Sequence, residues 1–170
     1  MSRSTFSGPV RSLAGFYAGG QGAQVDIVNG TNTITLSAAT HAGRVIAISD
    51  GSLAITLPTL SSSTDDDPTS PGQAYNIGTL FRFYFSADAG TVTMTAGGTD
   101  VIFGALFLSA HASAAGQLFV SDGLDTILTF NGTTTGGISG SYFELEAVED
   151  GTWLARGIVI ASGAIVTPFS

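Results

Sequence analysis

Short segments in which apolar and polar residues alternate one by one dominate the chain from Gln24 onward. Successive side chains of a strand point to opposite faces, so this period of two predicts half-buried strands. Segment 80–85 is the strongest, because Phe81, Phe83 and Phe85 share one face. Its other face carries Leu80, Arg82 and Tyr84, so we expect a core face and a second face that is sheet surface or contact. Alternating or β-branched segments are found at 24–27, 33–36, 44–48, 53–57, 80–85, 91–95, 101–103, 118–120, 124–130, 142–148, 152–156 and 158–160.

Turn signals separate these segments. Asn-Gly and Asp-Gly pairs are typical of tight turns, since their residues tolerate positive φ. About eleven short strands at this spacing predict an all-β fold, specifically an antiparallel β-sandwich with a jelly-roll-like order. We expect residues 24–170 to form one such domain, and only His111 and its neighbours to form a helical turn. The turn signals are Asn29-Gly30, Asp50-Gly51, Asp122-Gly123, Asn131-Gly132 and Asp150-Gly151.

Two stretches lack the strand period. Residues 59–78 form a long polar connection, and loops of this length are often functional. Residues 1–23 are rich in Gly and Ser but keep apolar and aromatic side chains that a disordered tail usually lacks. One interpretation is a frayed terminus with some local packing. The other, which we adopt as the prediction, is an extended N-terminal arm that docks on a neighbouring subunit or a larger particle.

Composition narrows the function classes. Charged residues make up 11% of the chain and hydrophobic residues 44%, whereas globular proteins have about a quarter charged residues. Such a surface suggests that part of it is covered by partners. The net charge of −8 disfavours nucleic-acid binding, because phosphates are bound by clustered cations. The chain has no Cys, and it has neither a signal-peptide pattern nor the ~20 apolar residues of a membrane span.

Candidate chemistry is sparse. His41 and His111 are the only imidazoles, and no nucleophile-elbow motif accompanies them. The Asp65–Asp67 run is better explained as a solvated loop than as a cation site, because consecutive acids point in different directions. Glu144 and Glu146 share one strand face at a spacing that two catalytic carboxylates tolerate, but any polar sheet face has this spacing. The Asn-Gly-Thr sequences at 29–31 and 131–133 fit turns better than glycan acceptors. We therefore predict no enzyme activity, no metal and no cofactor.

Four segments carry a family resemblance. They are TITLSAATHAGRVIAISDGSLAITLP at 33–58, TLFRFYFSADAGTVTMT at 79–95, SYFELEAVEDGTWLARG at 141–157 and FSGPVRSLAGF at 6–16. Together they resemble small virion proteins of tailed bacteriophages, including head decoration proteins and some fibre or baseplate modules. The resemblance implies a structural role in the virion and no catalytic residues, and the leading hypothesis below places the protein on the capsid surface.

Three hypotheses follow. The leading one is a capsid decoration or cement protein, a homo-oligomer (a trimer) that binds the major capsid protein. Its attachment residues would be those of the arm: Arg3, Phe6, Pro9, Arg11, Phe16 and Tyr17. The second is a tail-fibre, baseplate or head-fibre module whose loops 59–78 and 133–140 bind host glycans, with Trp153 and Tyr142 stacking on sugars. The third, a hydrolase on a β-sandwich, requires a cleft built around a histidine or a carboxylate.

Overall fold

The computed structural model describes residues 24–27, 33–61, 76–111, 113 and 115–170, with the backbone alone at 24–27, 39 and 40. The described chain is all-β and forms a seven-stranded and a four-stranded sheet, which pack together in a sandwich-like arrangement. The elements are β1 (Gln24–Ile27), β2 (Thr33–Thr35), the single helical turn α1 (Ala38–His41), β3 (Val45–Ile48), β4 (Ser52–Thr56), β5 (Leu80–Phe85), β6 (Thr91–Thr95), β7 (Val101–Ala110), β8 (Gly116–Val120), β9 (Ile127–Phe130), β10 (Tyr142–Glu149) and β11 (Thr152–Ala161).

Strands β1 to β6 alternate between the two sheets. The large sheet has the order β1-β3-β5-β10-β11-β7-β8, and the small sheet has the order β2-β4-β6-β9. Each time the chain returns to a sheet it runs in the same direction, so β1, β3 and β5 pair in parallel, as do β2, β4 and β6. β7 and β11 are also parallel over ten residues each. The described chain therefore winds around the sandwich in its first half.

The predicted antiparallel arrangement is wrong for these pairs, because both sheets are mixed. A jelly roll is built from antiparallel strands, and that order is not confirmed. The reason lies in the turns. Asp50-Gly51, one of the predicted turn signals, does not join two paired strands but carries the chain from β3 in one sheet to β4 in the other. Asp150-Gly151 does close a hairpin, between β10 and β11.

The helical turn lies elsewhere than expected. α1 precedes β3, and its His41 Nδ1 accepts a hydrogen bond from the Ser37 N–H at 3.0 Å. His111 lies in a non-helical turn after β7. One helical turn spans too few residues to produce an amphipathic period, so the sequence gives no signal for it. In the described part of the chain, no helix is long and apolar enough to cross a membrane.

The core between the sheets is aromatic. The three phenylalanines of β5 are fully buried, which confirms the face predicted for that strand. Phe143 of β10 stacks on Phe83 with ring centroids 5.0 Å apart, and it also meets Phe130 of β9 at 5.1 Å. Because β9 belongs to the small sheet, this contact joins the two sheets directly. Each buried phenylalanine contributes about 1.5–3 kcal/mol through removal of apolar surface from water.

Close backbone packing fixes the β7–β11 pair. Gly104 of β7 has φ +123° and lies opposite Ala155 in β11. A Cβ at Gly104 would collide with the Ala155 carbonyl oxygen. The position therefore requires glycine both for its positive φ and for the space.

The free edge of β9 is covered by residues 168–170. Ile127 and Thr129 donate backbone hydrogen bonds to the carbonyls of Ser170 and Pro168, at 2.8 and 2.9 Å. Phe169, between the two acceptors, is buried. One side of the small sheet is thereby closed to further strands.

Candidate assembly surface

The outer face of the seven-stranded sheet exposes a row of large apolar side chains. Five neighbouring strands, β5, β10, β11, β7 and β8, each contribute one residue in register. We call this set the apolar row. Its members, with their exposed fractions, are Tyr84 (38%), Tyr142 (38%), Ile158 (59%), Phe107 (40%) and Leu118 (57%).

The apolar row lies in a wider apolar area. Phe103 and Val120, which are 46% and 62% exposed, flank it on β7 and β8. Seven strands at a spacing of ~4.8 Å make the sheet ~29 Å wide, and strands of six to ten residues make it ~20–33 Å long. The outer face is thus on the order of 600–900 Å², comparable with the ~800 Å² that each partner contributes to a standard interface. A contiguous set of exposed apolar side chains on a face of this size marks an interaction site.

An ion-pair cluster crosses the same face next to the apolar row. Glu144 of β10 lies at its centre and accepts from Arg82 Nε at 3.3 Å and from Arg156 Nε at 3.0 Å. Arg156 Nη2 also contacts Glu146 Oε2 at 2.9 Å, and the Tyr142 hydroxyl donates to Glu144 Oε1 at 2.8 Å. Two arginines and two glutamates leave the cluster without net charge. It ties together β5, β10 and β11, the three central strands of the sheet.

The cluster keeps Glu144 ionised. The hydrogen bond from Tyr142 and then the arginines lower the pKa of Glu144, because they stabilise its charged form. Burial and the neighbouring Glu144 raise the pKa of Tyr142. A carboxyl that acts as a general acid needs the opposite shift, a raised pKa. The arrangement of Glu144 and Glu146 is therefore that of a strand-joining ion-pair network.

Residues 24–170 as a whole are acidic, in contrast to the neutral ion-pair cluster. Residues 24–170 contain three of the five Arg and all 13 acids, which gives 3 − 13 = −10. The four charged side chains of the cluster cancel, and most other acids of the described residues lie in turns, such as Asp50, Asp88, Asp122 and Asp150. The cluster therefore adds no net charge where two copies of this acidic chain would meet across the outer face.

The two histidines are far apart. His41 precedes β3, and His111 follows β7, four strands away in the sheet order, which corresponds to ~19 Å. β3 and β7 run in the same direction, so the two residues also lie at opposite ends of the sheet. Among the described residues no group of three or more His, Asp or Glu could hold a metal ion. The Asp65–Asp67 run lies outside the described residues.

Asp100 is a buried carboxylate that the sequence analysis did not single out. It is 4% exposed, and its Oδ2 accepts a hydrogen bond from the Leu60 N–H at 2.7 Å. Burial raises its pKa, with the charge of Asp150 adding to the effect. This hydrogen bond holds the segment after β4 in place, and the carboxylate does not line a cleft. No sequence pattern around Asp100 indicates that its carboxylate is buried.

The residues considered for glycan stacking differ in accessibility. Trp153 is fully buried and stacks on Phe81 with centroids 5.5 Å apart, so it cannot meet a sugar. Tyr142 is accessible within the apolar row. The loop after β9 is folded onto the protein by Asn131, whose Oδ1 accepts backbone N–H groups of Thr133 and Thr134 at 2.9 and 2.7 Å. These bonds confirm the Asn131-Gly132 turn. They also occupy the side-chain oxygen of Asn131.

The predicted arm residues Arg3, Phe6, Pro9, Arg11, Phe16 and Tyr17 lie outside the described residues, as does Asn29. Their role stays a prediction. What the sequence analysis missed is the apolar row. Tyr84 was assigned to a surface or contact face, but the other four members come from strands whose order and register the sequence does not reveal.

No family model matches the chain, and no curated protein or solved structure matches it either. The features that bear on function are therefore the outer face, the charge distribution and the sequence resemblance.

Proposed function

We propose that the protein is a non-enzymatic structural component of a tailed-phage virion, a capsid decoration or cement protein. In this proposal it oligomerises as a trimer, binds the major capsid protein on the capsid surface and stabilises the head. The observation that carries the proposal is the exposed apolar outer face of the seven-stranded sheet, crossed by the apolar row. A rigid sheet with such a face supports a role in assembly.

The outer face has the chemistry of an assembly surface. Aromatic and aliphatic side chains supply apolar area, and the neutral Glu144 cluster adds polar groups whose hydrogen bonds are already made. Interface cores are poor in charge and rich in aromatic residues. Repetition around a symmetry axis multiplies each weak contact, which favours attachment to a lattice.

The arm is the proposed attachment element. Residues 1–23 contain Arg3 and Arg11 and no acid, so they carry two positive charges against the −10 of residues 24–170. Arginine pairs bidentately with carboxylates, and the aromatics Phe6, Phe16 and Tyr17 can fill pockets on a partner. The segment is thus chemically suited to binding an acidic neighbouring surface.

The absence of enzyme activity is part of the proposal. The separation of His41 from His111 supports it, as does the lowered pKa of Glu144, because neither provides a poised general acid or base. The acidic charge of residues 24–170 supports a partner other than nucleic acid.

The test is binding to capsids assembled from the major capsid protein of the same phage genome. Full-length protein, a variant lacking residues 1–20 and the outer-face variant Ile158→Lys are cosedimented with these capsids. We expect saturable binding and a raised capsid melting temperature with the full-length chain, and loss of both with the truncation. Normal binding by the truncated chain would contradict the arm assignment, and no binding by the full-length chain would contradict the function.

A glycan-binding module of a fibre or baseplate is the second candidate. One observation favours it: Tyr84 and Tyr142 are exposed cross-strand neighbours beside a cluster of hydrogen-bonding groups. Exposed aromatic rings of this kind can stack on sugars. A glycan array on which the full-length chain gives hits that Tyr142→Ala loses would favour this candidate over the first.

A further inference from the structure

β8 is the outermost strand at one end of the seven-stranded sheet and pairs with β7 alone. The Ser121 N–H donates to Gly104 O at 3.0 Å, and the Ala110 N–H donates to Ala115 O at 2.7 Å. Hydrogen-bonded pairs alternate in an antiparallel ladder, so Gln117 and Phe119 direct their backbone groups to β7. The N–H and C=O groups of the residues between, 116, 118 and 120, point away from β7 toward the free edge.

This edge differs from that of β9 in the small sheet. Residues 168–170 cover the β9 edge, whereas no described residue hydrogen-bonds to the outward groups of β8. Proteins usually guard a free edge with charge, proline or a covering segment. Residues 111–121, with the sequence HASAAGQLFVS, contain no Pro, Arg, Asp or Glu. Among the described residues, nothing covers the β8 edge, which leaves its backbone groups available to a further strand.

The side chains of β8 extend the apolar area of the outer face up to the free edge of the sheet. Leu118 and Val120 are exposed on the outer face, and Leu118 lies opposite Phe107. The Phe107 ring lies across Gly116, where an added Cβ would be 2.5 Å from its Cζ. An apolar strand with an open backbone edge is suited to β-strand addition by a strand of similar character.

We propose that β8 pairs antiparallel with β8 of a second copy of this chain, about a two-fold axis through Leu118. Leu118 of each copy then pairs with Leu118 of the other, and Gly116 pairs with Val120. The three pairs supply about six backbone hydrogen bonds. Because paired residues share a sheet face, the apolar row continues through the junction into the second copy. The pairing joins two seven-stranded sheets into one.

The charge distribution favours a second copy of this chain as the partner that pairs with the free edge of β8. Residues 24–170 carry −10, and an approach of two copies through most faces brings like charges together. The uncharged stretch 111–121 and the neutral Glu144 cluster let two copies meet without that repulsion. A strand is also its own complement across a two-fold axis. The pairing depends on β8 alone, and only the use of the doubled outer face on a capsid rests on the proposed function.

The test uses the full-length chain without capsids. Leu118→Pro removes an N–H that points to the free edge while leaving the hydrogen bonds of β8 to β7, whereas Leu118→Ala removes the side chain and keeps the N–H. Mass is measured by sedimentation across a dilution series. We expect the wild type to have an even multiple of the 17.2 kDa chain mass, which is that of two paired trimers if the chain also trimerises as in the proposed function. Leu118→Pro should have half the wild-type mass, and Leu118→Ala should dissociate at a higher concentration than the wild type.

Cross-linking provides a second measurement that does not depend on how proline is tolerated. The chain has no cysteine, so each single-cysteine variant reports on one contact. Under mild oxidation Leu118→Cys is expected to form a disulfide-linked dimer, because paired Cα atoms lie ~5.5 Å apart in such a ladder. Leu124→Cys is the matched control, since Leu124 is 78% exposed but lies outside β8, and it is expected to stay uncross-linked.

Several outcomes would overturn the pairing. They are a wild type with an odd multiple of the chain mass (a monomer or a free trimer), an unchanged mass with Leu118→Pro, or equal cross-linking at 118 and 124. Loss of the association on deletion of residues 1–23 but not with Leu118→Pro would show that the arm, and not the β8 edge, joins the copies. Capsid binding by Leu118→Pro is assayed separately. A monomer that still binds capsids supports the pairing and the proposed function independently, and a paired chain that never binds contradicts only the function.

Discussion

Phe143 provides the sharpest test of the two-sheet core. It is fully buried in β10 of the large sheet and contacts Phe130 in β9 of the small sheet. The change Phe143→Leu keeps an apolar side chain in β10, so the strand and its register are retained. It removes the part of the ring that lies between Phe83 and Phe130.

The expected decrease in the free energy of unfolding can be calculated from the apolar surface that Phe143 buries. Phenylalanine to leucine removes three carbons, which at about 0.8 kcal/mol each gives about 2.4 kcal/mol. Loss of the ring contacts adds about 0.5–1.5 kcal/mol, for a total of about 3–4 kcal/mol. The same change at Phe103, which is 46% exposed on the outer face, should cost about 1.3 kcal/mol, because roughly half of the area is already in water.

Urea unfolding at one fixed protein concentration measures both variants. A double-mutant cycle with Phe130→Leu isolates the contact between the sheets, and we expect a coupling of about 0.5–1.5 kcal/mol. Equal losses for Phe143→Leu and Phe103→Leu would refute the burial argument. A coupling of zero would refute the direct contact between the two sheets, even if both single losses were large.

Three further predictions concern the backbone, a loop and the ion-pair cluster. Gly104→Ala should prevent β7–β11 pairing and yield insoluble or unfolded protein. Gly151→Ala has open space around it, so its positive φ of +76° should cost about 1–2 kcal/mol and still leave a folded protein, and circular dichroism separates the two variants. Asn131→Ala should lower the free energy of unfolding, measured in urea, by about 2–3 kcal/mol, because three backbone N–H groups lose their acceptor. Asn131→Asp keeps the oxygen and should lower it less. Glu144→Gln should lose about 1–2 kcal/mol at pH 7. The pKa of Glu144 is lowered in the folded state, so the ionised carboxylate stabilises the fold at any pH above its unfolded-state pKa. This stabilisation is lost as the pH falls through the folded-state pKa, and the difference in stability between Glu144→Gln and the wild type should therefore shrink in acid. A difference that stays constant with pH would contradict this.

The alternation of apolar and polar residues predicted the strands well because it depends on burial within each strand. The face of β5 that carries Phe81, Phe83 and Phe85 was correctly assigned to the core. Pairing was predicted poorly, because Asp50-Gly51 has the same sequence character whether it closes a hairpin or carries the chain to the other sheet. A turn signal reports that the chain reverses locally, not which strand it meets next.

The candidate surface shows the same limit. Exposure of Tyr84 could be foreseen from its own strand. Its alignment with Tyr142 and Leu118 could not, because β10 and β8 reach their places through pairings over long sequence separations. The Glu144 pair was noticed as two acids on one face, but its arginine partners lie on other strands and became visible only with the register.

The order of strands in the large sheet has a consequence for synthesis on the ribosome. β1, β3 and β5 form one part of that sheet and β7 with β8 another, and only the β10–β11 hairpin joins them. That hairpin is translated after both parts. Val101 of β7, for example, pairs with Thr152 of β11, which lies 51 residues later in the chain. A nascent chain that stops before residue 142 therefore presents two unfinished sheet fragments with exposed cores, which chaperones and proteases recognise. Only chains translated through the hairpin can close the large sheet and offer a continuous outer face to a partner.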